Sequence, residues 1–104
     1  MTQAYQAVIN GAGIVSTGGI YSSLNITAAT VIKATKGRIA KVIVLVAGST
    51  AGSVNDSATI GGVAASNLVS TIPAAVASIS LDFPCANGIV VTPGTGQTLA
   101  VSFI

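Results

Sequence analysis

Few side chains in this sequence can do chemistry, and their types set the first limits. The 104 residues contain no His and no Glu; the only acids are Asp56 and Asp82, and the only thiol is Cys85. General acid–base work near neutral pH needs a tunable His, carboxylate, Lys or thiol held beside a partner. Without His, neither a Ser-His-Asp nor a Cys-His arrangement can be built from this chain. A zinc centre of the usual ligand types also lacks its His and its second Cys. Asp56 and Asp82 fall on alternating segments in positions expected to face solvent, not each other. The expectation is a protein that is not an enzyme, with no cofactor and no metal.

The glycine-rich stretches do not change that. Gly11-Ala-Gly13 lacks the third glycine of a dinucleotide fingerprint, and no Lys follows Gly48 to Gly52 as a phosphate loop requires. They read as turns. Cys85 follows Pro84, with no cation beside it in sequence to stabilise a thiolate, so it reads as a small buried apolar residue.

Charge is the one anomaly. Every cation of the chain (Lys33, Lys36, Arg38 and Lys41) falls within a single short stretch. Such a cluster can dock on an acidic partner surface, or it can keep a turn solvated and blunt an exposed strand edge. Nucleic acid is not the expected partner, because binding surfaces of that kind interleave aromatic side chains with the cations and none lies near these in sequence.

The elements that must carry these residues are short and β-like. Ile20 to Ala28 alternates, with Ile20, Ser22, Leu24, Ile26 and Ala28 assigned to one face. Ala29 to Ala34 and Arg38 to Ala47 flank Thr35-Lys36-Gly37 and read as a central hairpin, Gly37 serving the turn. Its second strand is apolar on both parities, so cover is expected on both faces, from another subunit or from a loop of the same chain. Val42, Val44 and Val46 are the candidate oligomer face. Val54 to Ile60 reads as a polar edge strand and Val63 to Ser66 as a helical turn. Asn67 to Ile72 reads as a strand stopped by Pro73. Ala77 to Phe83 alternates, with Ala77, Ile79, Leu81 and Phe83 inward, and Asn87-Gly88 signals a hairpin back along Ile89 to Thr92. Leu99 to Ile104 forms the last strand.

About eight short antiparallel strands at regular spacing predict an all-β, single-domain β-sandwich of jelly-roll type over residues 20–104. Residues 1–19, punctuated by Gly11, Gly13, Gly18 and Gly19, read as an N-terminal arm or short strand.

Composition says what surrounds such a domain. Apolar residues make up 51% and charged residues only 6%, against about a quarter charged in ordinary soluble domains. Mean hydropathy is +0.85. A membrane protein or a largely covered surface would account for both values. The best apolar run, Ile39 to Ala47, contains Lys41 and falls well short of the ~18 residues of a membrane span. There is no Trp for the aromatic girdles of a transmembrane barrel. Met1-Thr-Gln-Ala-Tyr-Gln has neither the basic nor the apolar region of a secretory signal. The expectation is a homo-oligomer, made in the cytoplasm and not membrane-bound.

Two segments carry a resemblance. GRIAKVIVLVAGSTAGSVND (Gly37 to Asp56) and SISLDFPCANGIVVTPGTGQTLAVSFI (Ser78 to Ile104) resemble small virion proteins of tailed bacteriophages. The shared features are a valine-rich strand, a Phe-Pro turn, and a Pro-Gly-Thr-Gly-Gln turn before the last strand. The resemblance implies a structural virion protein made in the host bacterial cytoplasm. Its expected role is capsid decoration (cement): oligomerising and stabilising neighbouring subunits of the major capsid protein. A small head-fibre or tail-tip module that binds a host receptor or glycan is the alternative it implies.

Overall fold

A computed structural model describes residues 19–104. The arm or short strand expected over residues 1–19 therefore lies, Gly19 apart, outside the described residues. Eight strands follow: β1 (Tyr21–Ile26), β2 (Thr30–Lys33), β3 (Gly37–Val46), β4 (Gly52–Asn55), β5 (Leu68–Ile72), β6 (Ala77–Cys85), β7 (Ile89–Thr92) and β8 (Thr98–Phe103). They form two four-stranded antiparallel sheets, ordered β1-β8-β3-β6 and β2-β7-β4-β5. The all-β sandwich is as expected. Its pairing is β1 with β8, β2 with β7, β3 with β6 and β4 with β5, together with β3–β8 and β4–β7. This is the order obtained by folding an eight-strand chain in half and wrapping the double strand into a jelly roll.

The wrap overturns the central hairpin. β2 pairs with β7 in one sheet, while β3 pairs with β6 and β8 in the other. The Thr35-Lys36-Gly37 segment is thus a crossover between sheets. Asn87-Gly88 is one too, since β6 and β7 also lie in different sheets. Both turns have hairpin-compatible chemistry, but the strands that flank each one belong to opposite sheets. The expected polar edge strand at Val54 is corrected as well. β4 runs only from Gly52 to Asn55, and it lies inside its sheet between β7 and β5.

The core is the space between the sheets. Ile26, Ile39, Val42, Val44, Leu99 and Val101 from one sheet meet Val54, Ile72, Ile89 and Val91 from the other. Val42 and Val44 have no exposed surface at all. They are consequently not an oligomer face: the opposite sheet of the same chain already covers them. Val46, at the strand end, is 52% exposed, and the outer side of β3 presents Ile43 and Leu45, the latter 51% exposed. Strands covered on both faces are instead β7, whose Ile89, Val90 and Val91 are all fully buried, and the middle of β8, where Leu99, Ala100 and Val101 are buried in succession; β7 shows how the cover is made. On its outer side Val90 pairs with Asn55. The Asn55 amide donates to the Ala64 carbonyl and to Asn67 Oδ1, which ties the 56–67 connection to this face. That connection holds two single 3-10 turns, Ile60–Gly62 and Ala65–Asn67, in the region where a helical turn was expected.

Bulges explain where alternation fails. β1 pairs regularly from Tyr21 to Ser23 and resumes at Ile26, so it spends an extra residue against β8. Asn25 adopts φ 55° there, a left-handed conformation that Asn tolerates better than most residues. Ile26 is buried as expected, but Leu24 is turned out and 70% exposed. β6 carries a similar irregularity opposite Ala40, with Asp82 at φ 47°. Up to that point its alternation holds, with Ala77, Ile79 and Leu81 half-buried between exposed serines.

Candidate functional site

The sandwich has two ends, and the chain's chemistry gathers at one. The crossovers at 34–36 and 86–88 both lie there, beside the start of β3 and the end of β6. Of the four cations, three meet at this end. Lys33, Lys36 and Arg38 line an open cavity of about 570 Å³, together with Gly37, Pro84, Cys85, Ala86 and Ile104. Lys41 is not among the lining residues. On β3 it pairs across with Ser80 and Ser102, away from the cavity wall. The expected cluster of four is therefore three plus one.

Each cavity cation has a distinct setting. Lys33 ends β2, and its stem lies over Gly37, where an added Cβ would come within 2.8 Å of the Lys33 Cδ. The absent side chain at Gly37 is what lets Lys33 cross the sheet end. Its ammonium donates to the Ile104 carbonyl at 3.3 Å. Arg38 donates from Nη1 to both the carbonyl and the carboxylate of Asp82, at 3.0 and 3.2 Å. This is the one ion pair among the described residues, and both of its side chains are well exposed, so it contributes only ~0–1 kcal/mol. Lys36 sits exposed in the crossover.

Asp56 stands at the surface as expected but has a bonding role that the sequence did not signal. It reaches from the end of β4 to the 86–88 crossover. Its Oδ2 accepts from the Ala86 N–H at 3.0 Å, and its Oδ1 from Asn87 and Gly88 at 2.8 and 3.3 Å. Partial burial opposes ionisation, but the three backbone donors outweigh it and hold the carboxyl below its ordinary value. Gly88 is required there, because a Cβ would come within 2.5 and 2.6 Å of the Ser57 and Lys33 carbonyls. The only sequence signal for this anchor was an acid and an Asn-Gly pair thirty residues apart, too far separated for any local rule to join.

Cys85 lines the cavity yet is 1% exposed. Burial, then the nearby Asp56 charge, pushes its thiol up to about 11, against a small opposing effect of a hydrogen bond with the Ile39 backbone. The group is a neutral apolar surface at physiological pH, as its sequence context suggested. A disulfide-exchange reagent at neutral pH should label native protein orders of magnitude more slowly than unfolded protein. A native rate equal to that of free cysteine would refute the buried, protonated assignment.

Among the described residues neither carboxylate stands beside a free acid–base partner. Asp56 is committed to backbone donors and Asp82 to Arg38. No group of three or more His, Cys, Asp or Glu side chains converges among the described residues. At this end of the sandwich three cations border an open cavity whose other lining residues are mostly apolar. The register also aligns Tyr21, Phe103, Ile39 and Phe83 across all four strands of one sheet. The Tyr21 and Phe103 ring centroids are 5.7 Å apart. Aromatic side chains that are remote from the cations in sequence thus come within one or two residues' spacing of them.

No family model, curated protein or solved structure matches this chain.

Proposed function

We propose that this chain is a structural virion protein of a tailed bacteriophage, a capsid decoration protein that docks on the major capsid protein and stabilises neighbouring subunits. The observation that carries the reading is a jelly-roll sandwich whose one cationic end has no unengaged Asp or Glu side chain of its own among the described residues. Both aspartates are engaged internally and Lys33 reaches only the Ile104 backbone oxygen, so neither Lys33 nor Lys36 has an aspartate of this chain beside it and an acidic partner can supply one. Jelly rolls serve as capsid domains, though also as lectins and cupins, and a fold alone does not choose among these. The resemblance of Gly37–Asp56 and Ser78–Ile104 to phage virion proteins, and a surface poor in charge, support the capsid role. Self-association belongs to the outer side of β3, where Ile43 and Leu45 are exposed, with Val46 exposed at the strand end, in place of the buried Val42 and Val44.

The test is occupancy on heads assembled from the phage's own capsid protein, imaged by electron cryomicroscopy. Density for this chain is expected at repeated lattice positions, with occupancy falling as salt rises because the docking charges are screened. Replacing Lys33, Lys36, Arg38 and Lys41 with Ser should lower occupancy at low salt and flatten its salt dependence. Absence from the lattice, together with saturable binding to one structure on a glycan array, would replace this reading with a receptor-binding module.

A further inference from the structure

The cavity at the cationic end has more specificity than a charged patch. Its lining joins a basic part, Lys33, Lys36 and Arg38, to an apolar part, the floor, that includes Pro84, Cys85 and Ile104. A free inorganic anion would satisfy the basic part and leave the floor uncovered. A purely apolar ligand would fill the floor and strip water from the ammonium groups without replacing it. We propose that this cavity receives an acidic peptide segment of the docking partner, one bulky aliphatic or aromatic side chain seated on the floor and flanking carboxylates paired with Lys33 and Lys36.

Charge accounting makes the occupant acidic. The chain holds four cations and two acids. Asp56 is spent on the Ala86, Asn87 and Gly88 amides, and Asp82 on Arg38. Lys33 directs its ammonium at a single carbonyl acceptor, that of Ile104, and an ammonium has three protons to donate. Two remain for further acceptors, and Lys33 lines the cavity. Volume makes the occupant larger than an ion, since about 570 Å³ lies in the range of sites that enclose organic groups. The lining includes no aromatic ring on which a base could stack, which favours peptide over single-stranded nucleic acid. Cys85 contributes no charge to the floor, being buried and protonated.

The inference deepens the docking reading but can be tested apart from it. Isotope-labelled full chain would be titrated with a short blocked peptide containing one Leu between Asp and Glu residues. Parallel titrations would use the same peptide with Asn and Gln for the acids, the same peptide with Ser for Leu, inorganic phosphate, and an oligothymidine. Amide shifts are expected at Lys33, Lys36, Cys85, Ala86 and Ile104 with the acidic Leu peptide. Binding should weaken about tenfold with either altered peptide, the loss expected for one or two surface charge pairs or one buried side chain. Lys33→Ser with Lys36→Ser should weaken it similarly, and Ala86→Asp should abolish it while the spectrum stays folded. Equal binding of the uncharged peptide, phosphate or oligothymidine causing the same shifts, or no shift at millimolar peptide would each overturn the inference. Lattice occupancy that persists alongside any of these results would leave the capsid reading standing, whereas peptide binding without occupancy would do the reverse.

Discussion

Val44→Asp is expected to prevent folding altogether, with far-UV circular dichroism of an unfolded chain or recovery only as aggregate. Val44 is fully buried between Leu99 on β8 and Ala77 on β6, and it belongs to the core cluster. A carboxyl group there finds no donor among the apolar side chains around it. It must either ionise in a low-dielectric interior or stay protonated and unpartnered. Substitutions of this kind cost about 5 kcal/mol or more, comparable with the entire ~5–15 kcal/mol that holds a domain together. Leu45→Asp is the control that separates core from surface. Leu45 is the next residue on the same strand but 51% exposed, so its variant should fold with stability within about 0.5–1 kcal/mol of the parent. If copies associate through the outer side of β3, light scattering should then show a lower mass for Leu45→Asp. A folded, dissociated Val44→Asp monomer would restore that residue to an interface and refute the packing described above.

Asp56→Ala should be the most damaging change at a polar position. It leaves the amides of Ala86, Asn87 and Gly88 without their acceptor and frees the crossover that forms one wall of the cavity. Hydrogen bonds to a charged group contribute about 1.5–3 kcal/mol, which for a domain of this size corresponds to a fall in Tm of roughly 10 °C. The pH dependence has a definite sign. Because the folded carboxyl titrates below its unfolded value of 3.8, the stabilisation is complete above that pH and is lost as pH falls through the lower, folded value. The parent Tm should therefore drop on acidification below about pH 4, and Asp56→Asn should start lower and respond less over the same window. Parallel Tm–pH curves for parent and Asp56→Asn would show that the carboxylate does not hold the crossover. In the amide spectrum, Asp56→Asn should also displace Ala86 and Asn87, and with them the apolar floor.

Much of the secondary structure was legible because strand signals are local. Alternation marked β6 from Ala77 to Leu81, Pro73 ended β5, and the Pro93 to Gly96 stretch separated β7 from β8. These follow from the two-residue repeat of a strand and from proline's missing N–H, and neither needs knowledge of the neighbours. Where alternation broke, at Asn25 and Asp82, the cause was a bulge forced by registry with another strand, which only the paired strand reveals. The hairpin readings at Lys36-Gly37 and Asn87-Gly88 failed for a related reason. Turn chemistry permits a tight reversal but does not say whether the next strand lies beside the last or across the core from it.

By itself, then, the amino-acid sequence determined the class of the protein: all-β, with no residues for a His-based or zinc-based catalytic centre, and with every cation in one stretch. Absence of a residue type cannot be repaired by folding, and strand periodicity is written residue by residue. Only the tertiary structure decided which faces are buried and which charges are free. Among chain-consecutive strands, β4 and β5 alone are neighbours in a sheet; every other pairing joins distant segments. That long-range wrap placed Val42 and Val44 under the opposite sheet and moved Lys41 away from the other cations. It also brought Asp56 to the amides of residues 86–88. Both aspartates were thereby engaged within the chain, and Lys33 and Lys36 were left lining a cavity whose other residues are largely apolar.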